Sequence, residues 1–209
     1  MNGADMVFLI VAIMLVSTVG IAILKKNIFT QMYTALMEKD YEEFFKRVDT
    51  NGAKALIPMY TREYLRLSAY MAQLQEQKVR EQFNELMKMK LNPSQLCQLL
   101  CKGFQFYMGV HDQKRCKKIV EKMKDVVPEE QRMRYVRHYE IVFEHSVTYI
   151  PELEERIEKH RGKARGYLEY LLAKSYEAKK EKQKAEHYYR KAANDYKVGV
   201  GMLEQQIQL

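Results

Sequence analysis

The stretch ARGYLEYLLAKSYEAKKEKQKAEHYYRKAA, Ala164 to Ala193, decides how this chain is read. Its apolar residues recur at helical steps on both sides of Lys179-Lys180, so it reads as two amphipathic helices folded back on each other. Leu172, Ala173 and Tyr176 precede the turn; Ala185, Tyr189 and Ala192 follow it. The bulky residues fill the gap between two such helices, and the small ones stand where the backbones approach.

Working outward, the same spacing recurs. Tyr70, Val79, Phe83 and Leu86 repeat the intervals of Tyr176, Ala185, Tyr189 and Ala192, and Tyr107, Cys116, Val120 and Met123 do so again. An earlier pair places Ala35 before a turn at Lys39-Asp40, with Phe44, Phe45 and Val48 beyond it, and Asp49-Thr50-Asn51-Gly52 reads as the closing turn. Asn92-Pro93 and Pro128-Glu129-Glu130 read as helix starts. The fourth pair is expected as one helix from Gln131 to about Val147 and a short one opened by Pro151, with Glu144 at the template position and Arg161-Gly162 as its end. Ala35, Tyr70, Tyr107, Glu144 and Tyr176 then follow one another at 35, 37, 37 and 32 residues. Such a period points to stacked helical units, with an ordinary helical bundle as the rival.

The spacing L-A-x2-Y-x8-A-x3-Y-x2-A resembles the tetratricopeptide (TPR) repeat, a helix-turn-helix unit of about 34 residues. Glu169 and Lys197 depart from the family pattern. The resemblance implies an all-α fold, a right-handed α-solenoid of antiparallel helix pairs over residues 25–198. It also implies that the first helix of each pair lines a concave groove for partner proteins. Tyr64, Ser68 and Met71 would line it in one unit, and Gln98, Cys101, Gln105 and Met108 in the next. Tyr135, His138, Val142 and His145, then Tyr167, Tyr170 and Lys174, would continue it. Tyrosine and methionine with scattered amides suit protein recognition. The function implied is a non-catalytic adaptor or scaffold for protein-protein interaction.

Charge patterning adds a membrane. The chain has a net charge of +8 and only four prolines, which suits a basic, helix-rich protein. Residues 6–24, MVFLIVAIMLVSTVGIAIL, carry no charge. As a helix they are about 28 Å long, close to the ~30 Å hydrocarbon core, so a single-pass transmembrane helix is expected. Asp5 precedes the run and Lys25-Lys26 follow it, which places residues 1–5 outside and the bulk of the chain in the cytoplasm at the cell membrane. A signal-like segment of a secreted domain and a buried helix are the rival readings. Phe29 and Tyr33 fall at headgroup level. Residues 199–209 read as a capping helix or a docking tail.

Tests for chemistry find little. Cys97 and Cys101 share a helical face with no second pair at finger spacing, Cys116 standing alone. His138 and His145 lie without an HExxH pattern, and no phosphate loop, GxSxG turn or dinucleotide fingerprint occurs. No enzyme, cofactor or metal is expected. Three cysteines without paired spacing read as reduced thiols. The basic face Lys114, Arg115, Lys117 and Lys118 reads as solvated helix, or as a contact for anionic lipid beside the anchor. Binding of a polyanion, lipid or nucleic acid, is the alternative function. Nucleic acid is disfavoured, since no aromatic-glycine RNA motif or recognition-helix signature is found.

Overall fold

The computed structural model describes residues 3–208, and among them all regular structure is helical, with no strand. Met1 and Asn2 of the expected external segment, and Leu209, lie outside the described residues. The chain divides into two compact units, Met1–Lys90 and Leu91–Leu209.

In the first unit α1 (Gly3–Met37) is one unbroken helix, so no linker separates the apolar run from the domain. Residues 10–27 are all exposed, including ten large apolar side chains. This helix is long and apolar enough to cross a membrane. Its last turns belong to a core. Met32 and Ala35 are buried against Phe44 and Val48 of α2 (Tyr41–Val48) and Ala53 of α3 (Asn51–Leu56). Asp40 caps α2 by accepting from the Glu43 amide (3.0 Å). Asp49 and Thr50 turn the chain at the end of α2, as expected, but Asn51 and Gly52 are already helical. Thr50 caps a short helix that starts at Asn51, its hydroxyl accepting from the Ala53 amide (3.2 Å). Ile57 is extended, as a residue before proline must be, and α4 (Met59–Ala72) and α5 (Glu76–Lys88) follow as an antiparallel pair. Leu67, Val79 and Leu86 are fully buried.

One turn recurs along the chain. Lys39, Leu74, His111, His145 and Lys180 all have φ between 53° and 64°, at spacings of 35, 37, 34 and 35 residues. At four of them the next N–H reaches back five residues at 2.9–3.0 Å: Asp40 to Ala35, Gln75 to Tyr70, Asp112 to Tyr107, Glu181 to Tyr176. Those four residues then begin the following helix with nearly equal φ and ψ. This is a left-handed helix stop built without glycine.

In the second unit Asn92 and Gln95 form a reciprocal capping box (2.9 and 3.1 Å) that starts α6 (Pro93–Gly109). After α7 (Gln113–Met123) comes α8 (Glu129–Phe143), which stops four residues before Val147. The turn at His145 is looser, Ser146 reaching back to Glu140 (3.0 Å), and residues 146–149 lead into α9 (Ile150–Glu158). Ile141, buried, stands four residues before the left-handed position as Tyr107 and Tyr176 do, whereas Glu144 is exposed. The template position of this unit is therefore Ile141, three residues before the one expected.

The helix quoted at the outset, α10 (Gly162–Ala178), packs on α8, α9 and α11 (Lys182–Tyr196). Contact on several sides explains why Leu168 to Ala173 are buried without a break. Gly166 lets α11 come close, because a Cβ there would lie 2.9 Å from the Tyr196 ring. Ala185 and Ala192 are buried, as their place between the two helices requires. After a 3₁₀ turn at Val200–Met202, α12 (Leu203–Gln208) returns to pack on α6 and α11. Leu203 is buried and the Glu204 carboxylate lies 2.5 Å from Lys174 Nζ.

Candidate functional site

The second unit holds a cleft of about 550 Å³ bounded by α6, α8, α9, α10 and the last turns of the chain. Its existence follows from local sequence. Pro128 and the acidic Glu129 and Glu130 start α8 in a frame that turns Arg134, Tyr135, Arg137 and His138 toward it. Lys163 and Tyr167 come from the first turns of α10, and Phe104 and Met108 from α6.

One side is aromatic. The rings of Phe104 and Tyr135 meet edge to face at 5.1 Å, and those of His138 and Tyr167 at 5.5 Å. Tyr167 Oη and His138 Nδ1 are 3.1 Å apart. Burial lowers the His138 pKa to about 4, so the ring is neutral at physiological pH. Burial likewise raises the Tyr167 hydroxyl to about 12. Ile207 of α12 closes this side.

The other side is basic. Arg137 is only 5% exposed, and its Nη2 lies 2.5 Å from Glu152 Oε1. The same oxygen receives Arg156 Nη1 at 3.1 Å. The Arg137 guanidinium also stands over the Tyr149 ring, 5.5 Å from its centre. His160 Nδ1 donates to the Arg156 carbonyl (2.8 Å). Arg134 and Lys163 are exposed at the mouth.

Of the groove residues expected from sequence, Gln105, Met108, Tyr135, His138 and Tyr167 come together in this cleft. Gln98, Cys101 and Val142 are not among its walls, and His145 is exposed in the turn beyond α8. Tyr170 is 3% exposed, so it is packing rather than an open contact. Lys174 is engaged by Glu204 and stands over the Tyr170 and Tyr189 rings at 5.8 Å. In the first unit Tyr64, Ser68 and Met71 are partly buried, and Ser68 Oγ donates to the Tyr64 carbonyl (2.9 Å). Sequence reading misses Arg134, Arg137, Arg156, His160, Lys163 and Tyr196. The available signal was the run Arg132, Arg134, Arg137 and His138, which places several cations on one helix.

The basic face of α7 is separate in kind. Lys114, Lys117 and Lys118 are exposed, while Arg115 pairs with Asp112 (3.3 Å) and covers the Tyr107 ring. All three cysteines are free, and burial pushes the Cys116 thiol up to about 12, which leaves it unreactive. Near the apolar run, Phe29 and Tyr33 stack at 6.0 Å on the exposed side of α1 beyond Lys25 and Lys26.

No protein-family model, curated protein or solved structure matches this chain.

Proposed function

We propose that this protein is a membrane-anchored adaptor. In this reading α1 crosses the cell membrane once, with the bulk of the chain in the cytoplasm. The helix pairs form a tetratricopeptide-like, right-handed solenoid that carries partner proteins without acting on them. The repeated left-handed turn, at 34 to 37 residues, supports the repeat reading.

The observation that carries the function is the seating of α12. A short helix with Leu203 and Ile207 four apart and Glu204 beside them rests on the side chains expected to hold a partner. A surface that accepts one amphipathic segment by apolar insertion and a Lys–Glu pair is suited to accept another.

The test is site-specific photo-crosslinking in the native membrane, with the photoreactive residue at exposed Gln105 or at exposed Lys117. Protein adducts should form from position 105, and Tyr135→Ala should reduce them. Adducts confined to position 117 would move the working surface to the basic face of α7 and favour the polyanion reading.

A further inference from the structure

The charges around the cleft do not balance. Arg137 and Arg156 share a single oxygen of Glu152, so one carboxylate serves two guanidiniums. Arg137 Nε is buried and has no hydrogen-bond partner among the described residues. Arg134 and Lys163, at the mouth, have no ion-pair partner among the described residues. No carboxylate is among the described residues that line the cleft. Cations in excess beside a low-dielectric apolar wall focus a positive field, and a site with several of them draws an anion. Arginine forks and a lysine suit phosphate in particular, the forks by paired N–H donation and the lysine as a point charge.

The rest of the cleft is unlike a simple ion site. Phe104, Tyr135, Tyr167 and Ile207 give it an apolar, largely aromatic side. Its volume of about 550 Å³ lies within the roughly 300–1,000 Å³ of small-molecule sites and is much larger than a bare phosphate needs.

We propose that this cleft is a binding site for a small phosphate monoester carried on an aromatic body. The phosphate lies against Arg134, Arg156 and Lys163, and the body lies over Tyr135 and Tyr167. Two negative charges answer the two cations without partners at the mouth, while Glu152 continues to hold Arg137 in place. The site is distinct from the exposed lysines of α7, whose solvated ammonium groups have no adjoining apolar wall in this cleft.

The test uses the full chain in nanodiscs of phosphatidylcholine and titration calorimetry at about 0.15 M salt, where exposed charges are largely screened. Phenyl phosphate is the probe, with inorganic phosphate and phenol as its two halves. Phenyl phosphate should bind saturably at one site and more tightly than either half. Arg134→Gln with Lys163→Gln should weaken it about ten-fold or more, because both charge-assisted contacts are removed. Both residues are exposed, so circular dichroism should show an unchanged fold. Tyr135→Leu should remove the preference for phenyl phosphate over inorganic phosphate. Lys114→Gln with Lys117→Gln and Lys118→Gln should change nothing. Absence of saturable binding by the folded protein overturns the proposal. So does equal weakening by the α7 substitutions, or binding of inorganic phosphate as tight as that of phenyl phosphate. Saturation by an acidic peptide, or by nanodiscs containing phosphatidic acid, with no response to phenyl phosphate would assign the cleft to a different ligand and equally overturn it.

Discussion

Gly166 and Tyr196 set the spacing of the two helices on which the second unit is built. A methyl group at Gly166 would lie 2.9 Å from Cδ2 of the Tyr196 ring and 3.0 Å from Cβ of Asp195. Two effects of Gly166→Ala therefore oppose each other. Removing a helical glycine favours the fold by roughly 0.5–1 kcal/mol, and overpacking a close contact costs roughly 1–3 kcal/mol. The clash should win, with a net loss of about 1 kcal/mol and a lower thermal midpoint in detergent micelles. Gly199→Ala, where nothing lies within 4 Å, is the control and should leave the midpoint unchanged. A higher midpoint for Gly166→Ala would place the helices farther apart than described.

Other residues of these two helices show what a sequence can reveal. The small residues of α10 and α11 mark a close approach because only close approach requires them, and the capping box at Asn92 is legible because a cap is local. The turn tetrapeptide at Asp49–Gly52 is legible only in its first half, since Thr50-Asn51-Gly52 can cap a helix as readily as it can close one. Glu144 is misplaced because the step from Tyr107 to Ile141 is 34 residues, and the 37-residue step of the preceding unit, carried forward, overshoots it by three. The basic wall escapes altogether. Arg134, Arg156 and Lys163 lie on three helices, each with the look of a solvated face, and only tertiary packing brings them to one cleft.

His138 gives the fold a pH dependence with a definite sign. Its pKa falls from 6.5 to about 4 because burial penalises the imidazolium. The neutral ring is favoured in the folded state, so its contribution is fully present above pH 6.5. It is lost progressively as pH falls from there toward 4. Denaturant midpoints measured across that window should decline more steeply for wild type than for His138→Gln, whose side chain does not titrate. Replacing exposed His187 in the same way should leave the slope as it was. Parallel declines for wild type and His138→Gln would mean that His138 titrates normally.

The attachment of α12 divides into an ionic and an apolar part of unequal size. Lys174 and Glu204 are 23% and 44% exposed, and an ion pair so exposed contributes about 0–1 kcal/mol. Leu203 is 1% exposed, and a fully buried leucine contributes roughly 1.5–3 kcal/mol. Leu203→Ala should therefore release the segment more than Glu204→Gln does. Hydrogen exchange at the backbone amides of α12 reads this directly, and both variants should leave protection in α10 intact. The reverse order, with Glu204→Gln the stronger, would make the segment an electrostatic latch and its release sensitive to salt.

In the proposed topology the continuity of α1 couples membrane and domain. Lys25 follows the uncharged run, and Met32, seven residues later on the same helix, is fully buried in the first core. At about 1.5 Å per residue that interval is about 10 Å, so the first core begins within roughly the depth of one headgroup layer. The orientation then decides which compartment holds everything after Lys26. Positive charge beyond the run and Asp5 before it favour a cytoplasmic domain. A reporter that is active only in the cytoplasm should work when fused after Leu209, and protease added outside intact cells should leave the domain uncut. Moving the two lysines to positions 2 and 3, with Lys25→Gln and Lys26→Gln, should shift a fraction of molecules to the opposite orientation. Cleavage of the wild-type domain from outside would reverse the topology and remove the adaptor from the cytoplasm. The core at Met32 would be unaffected, because its packing does not depend on which side it faces.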